Sequence, residues 1–239
     1  MLRALFFDVD DTLFSTTDFA WHARERAVDA MLALGLRADR AAVLAELRGV
    51  VEEFTSNDDR HFDRLLGRLP AAATAGLNRA LIVSGGVIAY HEAKARRWRL
   101  RPRVQTLLED LAALEVHMGI VSAGITSKQM EKILRLGLHR YVDRSLILVT
   151  DQEGIAKANP KLYKRAVRRA GVRPEEALHV GDHPVHDVGS AKAAGLQTVW
   201  VRGEGKYSAM TPDPPADHVI DHVWELRGVL ADSYGLLEP

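Results

Sequence analysis

Five short apolar runs, rich in β-branched residues, punctuate the chain: Leu2 to Phe7, Val116 to Val121, Leu146 to Val149, Ala177 to Val180 and Thr198 to Val201. Runs of this length without alternation predict strands buried on both faces. Segments of helical period lie between them. Pro102 opens one, with Val104, Leu107, Leu108 and Leu111 along a single face. Thr126 and Gln129 have the capping-box spacing ahead of Met130, Ile133 and Leu134, and Gly137 suits the stop. Asn159 and Pro160 begin a third helix, with Leu162, Tyr163, Ala166, Val167 and Ala170 facing inward before Gly171. Strands alternating with such helices predict an α/β fold, a parallel sheet covered on both faces.

Helical periodicity continues without convincing strands from about Asp18 to Arg97. Phe19, Ala23, Ala27, Ala30, Met31 and Leu34 share a face before Gly35, and a second helix is expected from Asp39 toward Phe54. Ser84-Gly85-Gly86 interrupts a later helical pattern and is expected to bend or end it. The run from Lys94 to Arg101 is a charged return. The predicted organisation is a core of residues 1–16 and 99–239, with residues 17–98 inserted as a helical cap.

Composition narrows the function classes. With 47% hydrophobic and 27% charged residues, the chain has ample material for a core. The absence of cysteine excludes disulfides, thiolate metal sites and a cysteine nucleophile. Lys+Arg and Asp+Glu both total 32, so no net basic field favours nucleic acid or an anionic membrane. The first apolar run meets acid at once and has no signal-peptide cleavage pattern, and no stretch approaches the roughly 20 apolar residues of a membrane span. A cytoplasmic protein is expected, as monomer or homodimer.

The chemistry gathers where the predicted strands end. Asp8-Val9-Asp10-Asp11-Thr12 follows the first run directly, and ligands in open α/β sheets bind beyond the carboxyl ends of the strands. Extended geometry puts Asp8 and Asp10 on one side, where one carboxylate can attack phosphorus while the other moves a proton. An aspartate-rich turn or helix cap would look the same in isolation. Three later features occupy matching positions. Ser122, with the backbone N–H of Ala123 after it, can hold phosphate oxygens near a helix N-terminus. Lys157 can supply a point charge to a transferring phosphoryl group. Gly181-Asp182-His183-Pro184-Val185-His186-Asp187 offers two further carboxylates, and Asp8 with Asp182 suits a hard cation such as Mg²⁺. His183 and His186 do not have zinc-site spacing.

Taken in order, these four elements resemble the signature of the haloacid dehalogenase superfamily. The resemblance implies a Rossmann-like, three-layer α/β/α core with a helical cap inserted after the first motif. It further implies that Asp8 is the nucleophile and a metal ligand, and that Asp10 is the general acid and base and lends its backbone carbonyl to the metal. Ser122 and Lys157 would bind phosphate, Asp182 would ligate Mg²⁺, and Asp187 would hold a metal-bound water or Lys157. The dehalogenases that name the superfamily lack the second aspartate as acid and base, so Asp10 favours phosphate chemistry. Ala158 stands where many relatives have proline and Asp11 where many have glycine. Ser56-Asn57, His61-Phe62-Asp63, Gly86 to His91 and Glu131 to Leu136 resemble phrases of the archaeal-type glyceraldehyde 3-phosphate phosphatase subfamily.

The implied activity is hydrolysis of a small phosphorylated metabolite. A sugar phosphomutase or a non-catalytic phosphate-binding protein on the same scaffold are the alternatives. A closing cap would exclude water and select the organic part of the substrate. Asn57, His61, Tyr90, His91 and Arg97 are its specificity candidates, each with a competing reading as a packed or solvated residue.

Overall fold

In the computed structural model, which describes residues 1–55, 58–203 and 207–237 with the side chains of residues 96 and 97 left out, the chain divides into two compact units. One comprises Met1–Thr17 and Trp98–Pro239, the other Asp18–Arg97.

The first unit is built on six parallel strands: β1 (Ala4–Phe7), β2 (His117–Ser122), β3 (Ile147–Val149), β4 (Ala177–Gly181), β5 (Gln197–Val201) and β6 (His218–Ile220). Their order is β3-β2-β1-β4-β5-β6. β1 therefore sits at the point where the strand order reverses, the crevice in which doubly wound sheets bind ligands. The two-residue period of β1 sends Leu5 and Phe7 to one face and Ala4 and Phe6 to the other. The first face packs with Val104, Leu107, Leu108 and Leu111, and with Leu226 and Leu230. The second packs with Leu162, Tyr163, Ala166 and Val167. Three layers follow from a strand apolar on both sides.

Among the described residues eight α-helices are longer than a single turn. α1 (Thr16–Ala33), α2 (Arg40–Phe54), α3 (His61–Arg68) and α4 (Arg79–Arg97) precede β2, as does α5 (Pro102–Ala112). α6 (Thr126–Arg135), α8 (Lys161–Ala170) and α10 (Leu226–Tyr234) flank the sheet, with single turns α7 (Thr150–Glu153) and α9 (Ser190–Ala193) between them. Asp39 caps α2 by accepting from the Ala42 N–H at 2.9 Å, and Gly171 ends α8 in the left-handed conformation.

Two readings of the pattern are corrected and one strand is added. Thr126 and Gln129 form no capping box: Thr126 bonds the carboxylate of Asp151 through its N–H at 3.0 Å and its hydroxyl at 2.7 Å, and Gln129 points elsewhere. The glycines at 85 and 86 do not interrupt α4, which is continuous. A Cβ at Gly86 would lie 3.0 Å from Met31, so the missing side chains let α1 approach. Strand β6 has no apolar run to announce it, since it is an edge strand whose middle residue Val219 is half exposed.

The helical unit has its own core, in which Ala27, Val28 and Met31 of α1 meet Val43 and Leu47 of α2, Phe62, Leu65 and Leu66 of α3, and Ile82 of α4. Among the described residues no helix is long and apolar enough to cross a membrane.

Gly119 in β2 tests the sheet packing. A Cβ there would lie 2.7 Å from the Phe6 ring and 2.8 Å from the Leu146 carbonyl oxygen, and the backbone atom cannot give way. Gly119→Ala is expected to cost about 1–3 kcal/mol, read as a lower urea midpoint. An unchanged midpoint would show that the β1–β2 face has room to spare.

Candidate active site

The site starts with the loop that follows β1. The Asp8 N–H donates to the Val180 carbonyl at 2.9 Å, continuing the β1–β4 ladder by one residue. The chain then turns tightly, and the N–H groups of Leu13 and Phe14 both donate to the Val9 carbonyl at 3.1 Å. Asp11 carries the turn at φ 54°, a left-handed conformation that aspartate tolerates better than most residues. Its carboxylate accepts from the Thr17 N–H at 2.9 Å and the Thr17 hydroxyl at 2.5 Å, which locks the loop. That is a physical reason for a residue other than glycine here.

Parallel register brings the other groups level. Phe7 pairs with Ile120 and with Val180, so one residue further Asp8 faces Val121 and Gly181, immediately before Ser122 and Asp182. Lys157 lies buried between two carboxylates, its Nζ 2.5 Å from Asp8 and 2.6 Å from Asp187. Asp187 is held on both sides. His179 Nε2 donates to its Oδ1 at 2.7 Å, and the His183 N–H donates to its Oδ2 at 3.0 Å. The Tyr163 ring packs edge-on against His179, and its hydroxyl donates to the His186 carbonyl at 2.7 Å. Gly181 makes room for this arrangement, because a Cβ there would fall 2.3 Å from the Asp187 carboxyl carbon.

Asp10 has separate partners. Lys132 and the Thr16 hydroxyl bond its Oδ1, and Gln129 donates to its Oδ2 at 2.9 Å and to the Ala123 carbonyl at 2.9 Å. Ser122 is completely buried, and its hydroxyl has no hydrogen-bond partner among the described residues. The Gly124 N–H is taken by Thr150 at 3.0 Å.

These contacts set the charges. Burial pushes the Asp8 carboxyl up to about 7, with Lys157 opposing and Asp187 and Asp10 adding to the rise. Burial pushes Asp182 to about 9, reinforced by Asp8 and Asp187. Burial also works against ionised Asp187, but Lys157 and His179 outweigh it and hold that group far below the usual carboxylate range. For Asp10 the burial effect is likewise overcome, here by Lys132, Thr16 and Gln129, and its pKa is lowered. Lys157 is raised despite burial by the two carboxylates it joins.

Carboxylate oxygens of Asp8, Asp182 and Asp187 all lie within 4.8 Å of one another. Three acids around one ammonium leave an excess of negative charge, which adds to the larger effect of burial in raising Asp8 and Asp182. An all-oxygen set of this kind fits a hard divalent cation, which would relieve that repulsion. Asp187 already spends its oxygens on Lys157, His179 and a backbone N–H, so Asp8 and Asp182 are the available ligands.

A family model described as haloacid dehalogenase-like hydrolase matches residues 2–195. The chain belongs to this family. The hydrolase is 38% identical over 237 residues to the glyceraldehyde 3-phosphate phosphatase of Methanopyrus kandleri, covering 97% of this chain and 98% of that one. It is 36% identical over 239 residues to the protein of the same name from Methanothermobacter thermautotrophicus, covering 96% and 100%. A crystal structure described as a putative beta-phosphoglucomutase from Thermotoga maritima matches with a TM-score of 0.72 over 97% of this chain and 100% of that chain. At 19% identity that likeness speaks for the fold alone.

The hydrolase thus brings Asp8, Lys157, Asp182 and Asp187 into one cluster. The specificity candidates lie in the helical unit. His61 donates from Nε2 to the Thr55 carbonyl at 2.7 Å, Tyr90 packs edge-on to Phe62 and His91, and His91 itself is exposed. Asn57 and the side chain of Arg97 lie outside the described residues. Sequence reasoning missed Lys132, Gln129, His179 and Tyr163. For the first two a signal existed, since residues three apart on a helix share a face and both follow Ser122 closely.

His179→Leu removes the donor that orients Asp187 while keeping the site apolar. Groups that orient catalytic ligands are commonly worth about 10–100-fold in activity, so kcat is expected to fall by that range with KM little changed. Wild-type kcat in that variant would show that Lys157 and the His183 N–H suffice.

Proposed function

We propose that this phosphatase hydrolyses a small phosphate monoester through a phosphorylated Asp8, and that it does so on free metabolites in the cytoplasm. The observation that carries the reading is the Lys157 ammonium fixed between Asp8 and Asp187, beside the buried, unpartnered hydroxyl of Ser122. Such a hydroxyl is ready to donate to a phosphate oxygen, and Lys157 reduces the repulsion between that phosphate and the Asp8 carboxylate. Mg²⁺, which Asp8, Asp182 and the Asp10 backbone carbonyl would hold, supplies further neutralisation of phosphate charge when bound.

In the first step an Asp8 oxygen forms a bond to phosphorus as the ester P–O bond breaks. The bond's electron pair leaves with the alkoxide, which takes a proton from the Asp10 carboxyl. In the second step Asp10, now a carboxylate, takes a proton from water. The water oxygen attacks phosphorus, and Asp8 is released with inorganic phosphate. Lys132 favours the ionised form of Asp10, the form the second step uses, while a phosphate dianion nearby favours the acid form needed first.

Glyceraldehyde 3-phosphate, by which the relatives are named, is the first substrate to assay. Asp8→Asn is expected to abolish phosphate release with Mg²⁺ present, and Asp10→Asn to lower kcat by about 10²–10⁴-fold, both with unchanged circular dichroism. Full turnover by Asp8→Asn would remove Asp8 from its role, and turnover unaffected by EDTA would remove Mg²⁺.

A further inference from the structure

The two oxygens of Asp10 are held unequally. Oδ1 accepts from the Lys132 ammonium and from the Thr16 hydroxyl, while Oδ2 accepts from Gln129 Nε2 at 2.9 Å. A carboxylate oxygen has about two lone-pair sites. Oδ1 is therefore filled, and among the described residues Oδ2 keeps one site open. The Asp10 side chain is 30% exposed, against 6% for Asp8 and 1% for Asp187, in keeping with a site left open to a reactant.

Gln129 decides where that open site lies. Its two amide hydrogens go to two acceptors, Asp10 Oδ2 and the Ala123 carbonyl, each at 2.9 Å, so the amide cannot rotate without giving up a bond. One link thus ties Asp10 to the loop that carries Ser122. The loop is built to let it pass: Gly124 has φ 136°, a conformation open to glycine, and a Cβ there would stand 2.9 Å from Gln129 Nε2. The helix is anchored too, since Thr126 at the start of α6 bonds Asp151 through its N–H and its hydroxyl. Lys132 follows Gln129 by three residues on the same face, so α6 delivers donors to both Asp10 oxygens. The other end of the amide gains nothing, because Gln129 Oε1 is buried with no partner among the described residues. A glutamine kept for packing alone would satisfy both ends. The worth of this one lies in Nε2.

We propose that Gln129 is a positioning residue, which holds Asp10 in register with the Ser122 loop and makes Oδ2 the atom through which the proton passes. The inference rests on the reading of Asp10 as acid and base. The proton that the alkoxide receives leaves Oδ2, and the proton that water gives up in the second step returns to the same oxygen. Oδ1 stays with Lys132 and Thr16 throughout. Holding an acid in place lowers a barrier through orientation and not through substrate binding, so the loss of Gln129 falls on kcat.

The experiment compares the full-length wild type with Gln129→Met, which keeps the length and removes the donor, in buffer with Mg²⁺. Glyceraldehyde 3-phosphate has an alkoxide leaving group that needs the proton, whereas p-nitrophenolate leaves without one. On glyceraldehyde 3-phosphate kcat is expected to fall by about 10–100-fold, the usual worth of a group that orients a catalytic ligand, with KM unchanged. On p-nitrophenyl phosphate, release of nitrophenolate in a single turnover with enzyme in excess is expected to match wild type, while steady-state turnover falls, because only the second step then needs Asp10. A residue that merely supported the fold would slow both phases. If Gln129→Met does not fold, Gln129→Ala is read in the same way, and if the wild type does not take glyceraldehyde 3-phosphate, the nitrophenyl ester decides alone. The inference is overturned if the variant keeps wild-type turnover, if its loss lies in KM, or if single-turnover release falls as far as steady-state turnover. Asp10→Asn is run beside it. Wild-type turnover there would overturn the reading of Asp10 itself, a result the glutamine variants cannot imitate.

Discussion

Lys157 places its ammonium between Asp8 and Asp187 at 2.5 and 2.6 Å, and the other groups of the buried acidic cluster are arranged around that bridge. Without it, three carboxylates within 4.8 Å of one another would repel strongly in a nearly dry setting. With it, Asp187 is held in the ionised form, while burial, helped by the neighbouring carboxylates, raises Asp8 and Asp182. Removing one member of such a buried set leaves an uncompensated charge, so the cluster stands or falls as a unit.

The bridge depends in turn on the sheet. Parallel pairing on both sides of β1 fixes Asp8 relative to Ser122 and Asp182 within one residue of register, and a slip would turn each side chain to the opposite face. Packing supports the same register. Leu5 and Phe7 enter one hydrophobic layer and Ala4 and Phe6 the other, so neither face of β1 can be exchanged without exposing a core. The two-sided burial that made the strand recognisable also aims its last carboxylate.

The α/β architecture was legible because period-two and period-3.6 apolar patterns are local, as were the helix ends at Asp39, Pro102 and Gly171. Side-chain destinations were less legible. Gln129 had the spacing of a cap partner, but a carboxylate 119 positions earlier in the chain competed for it successfully. Lys132 reaches the same Asp10 across 122 positions, a pairing that no local pattern encodes. Gly85 and Gly86 read as breakers because glycine is permissive, whereas here its missing Cβ serves helix contact.

The Ser122 hydroxyl, sealed from solvent and without a partner among the described residues, has a consequence for traffic through the site. On the proposed reading no existing bond must be broken before it donates to a phosphate oxygen, and inorganic phosphate would offer the same oxygen as an ester does. Its attraction is therefore common to substrate and product, lowering both on the free-energy profile without separating them. On that reading discrimination is left to whatever grips the organic portion, and accumulated phosphate would compete with substrate for the same hydroxyl.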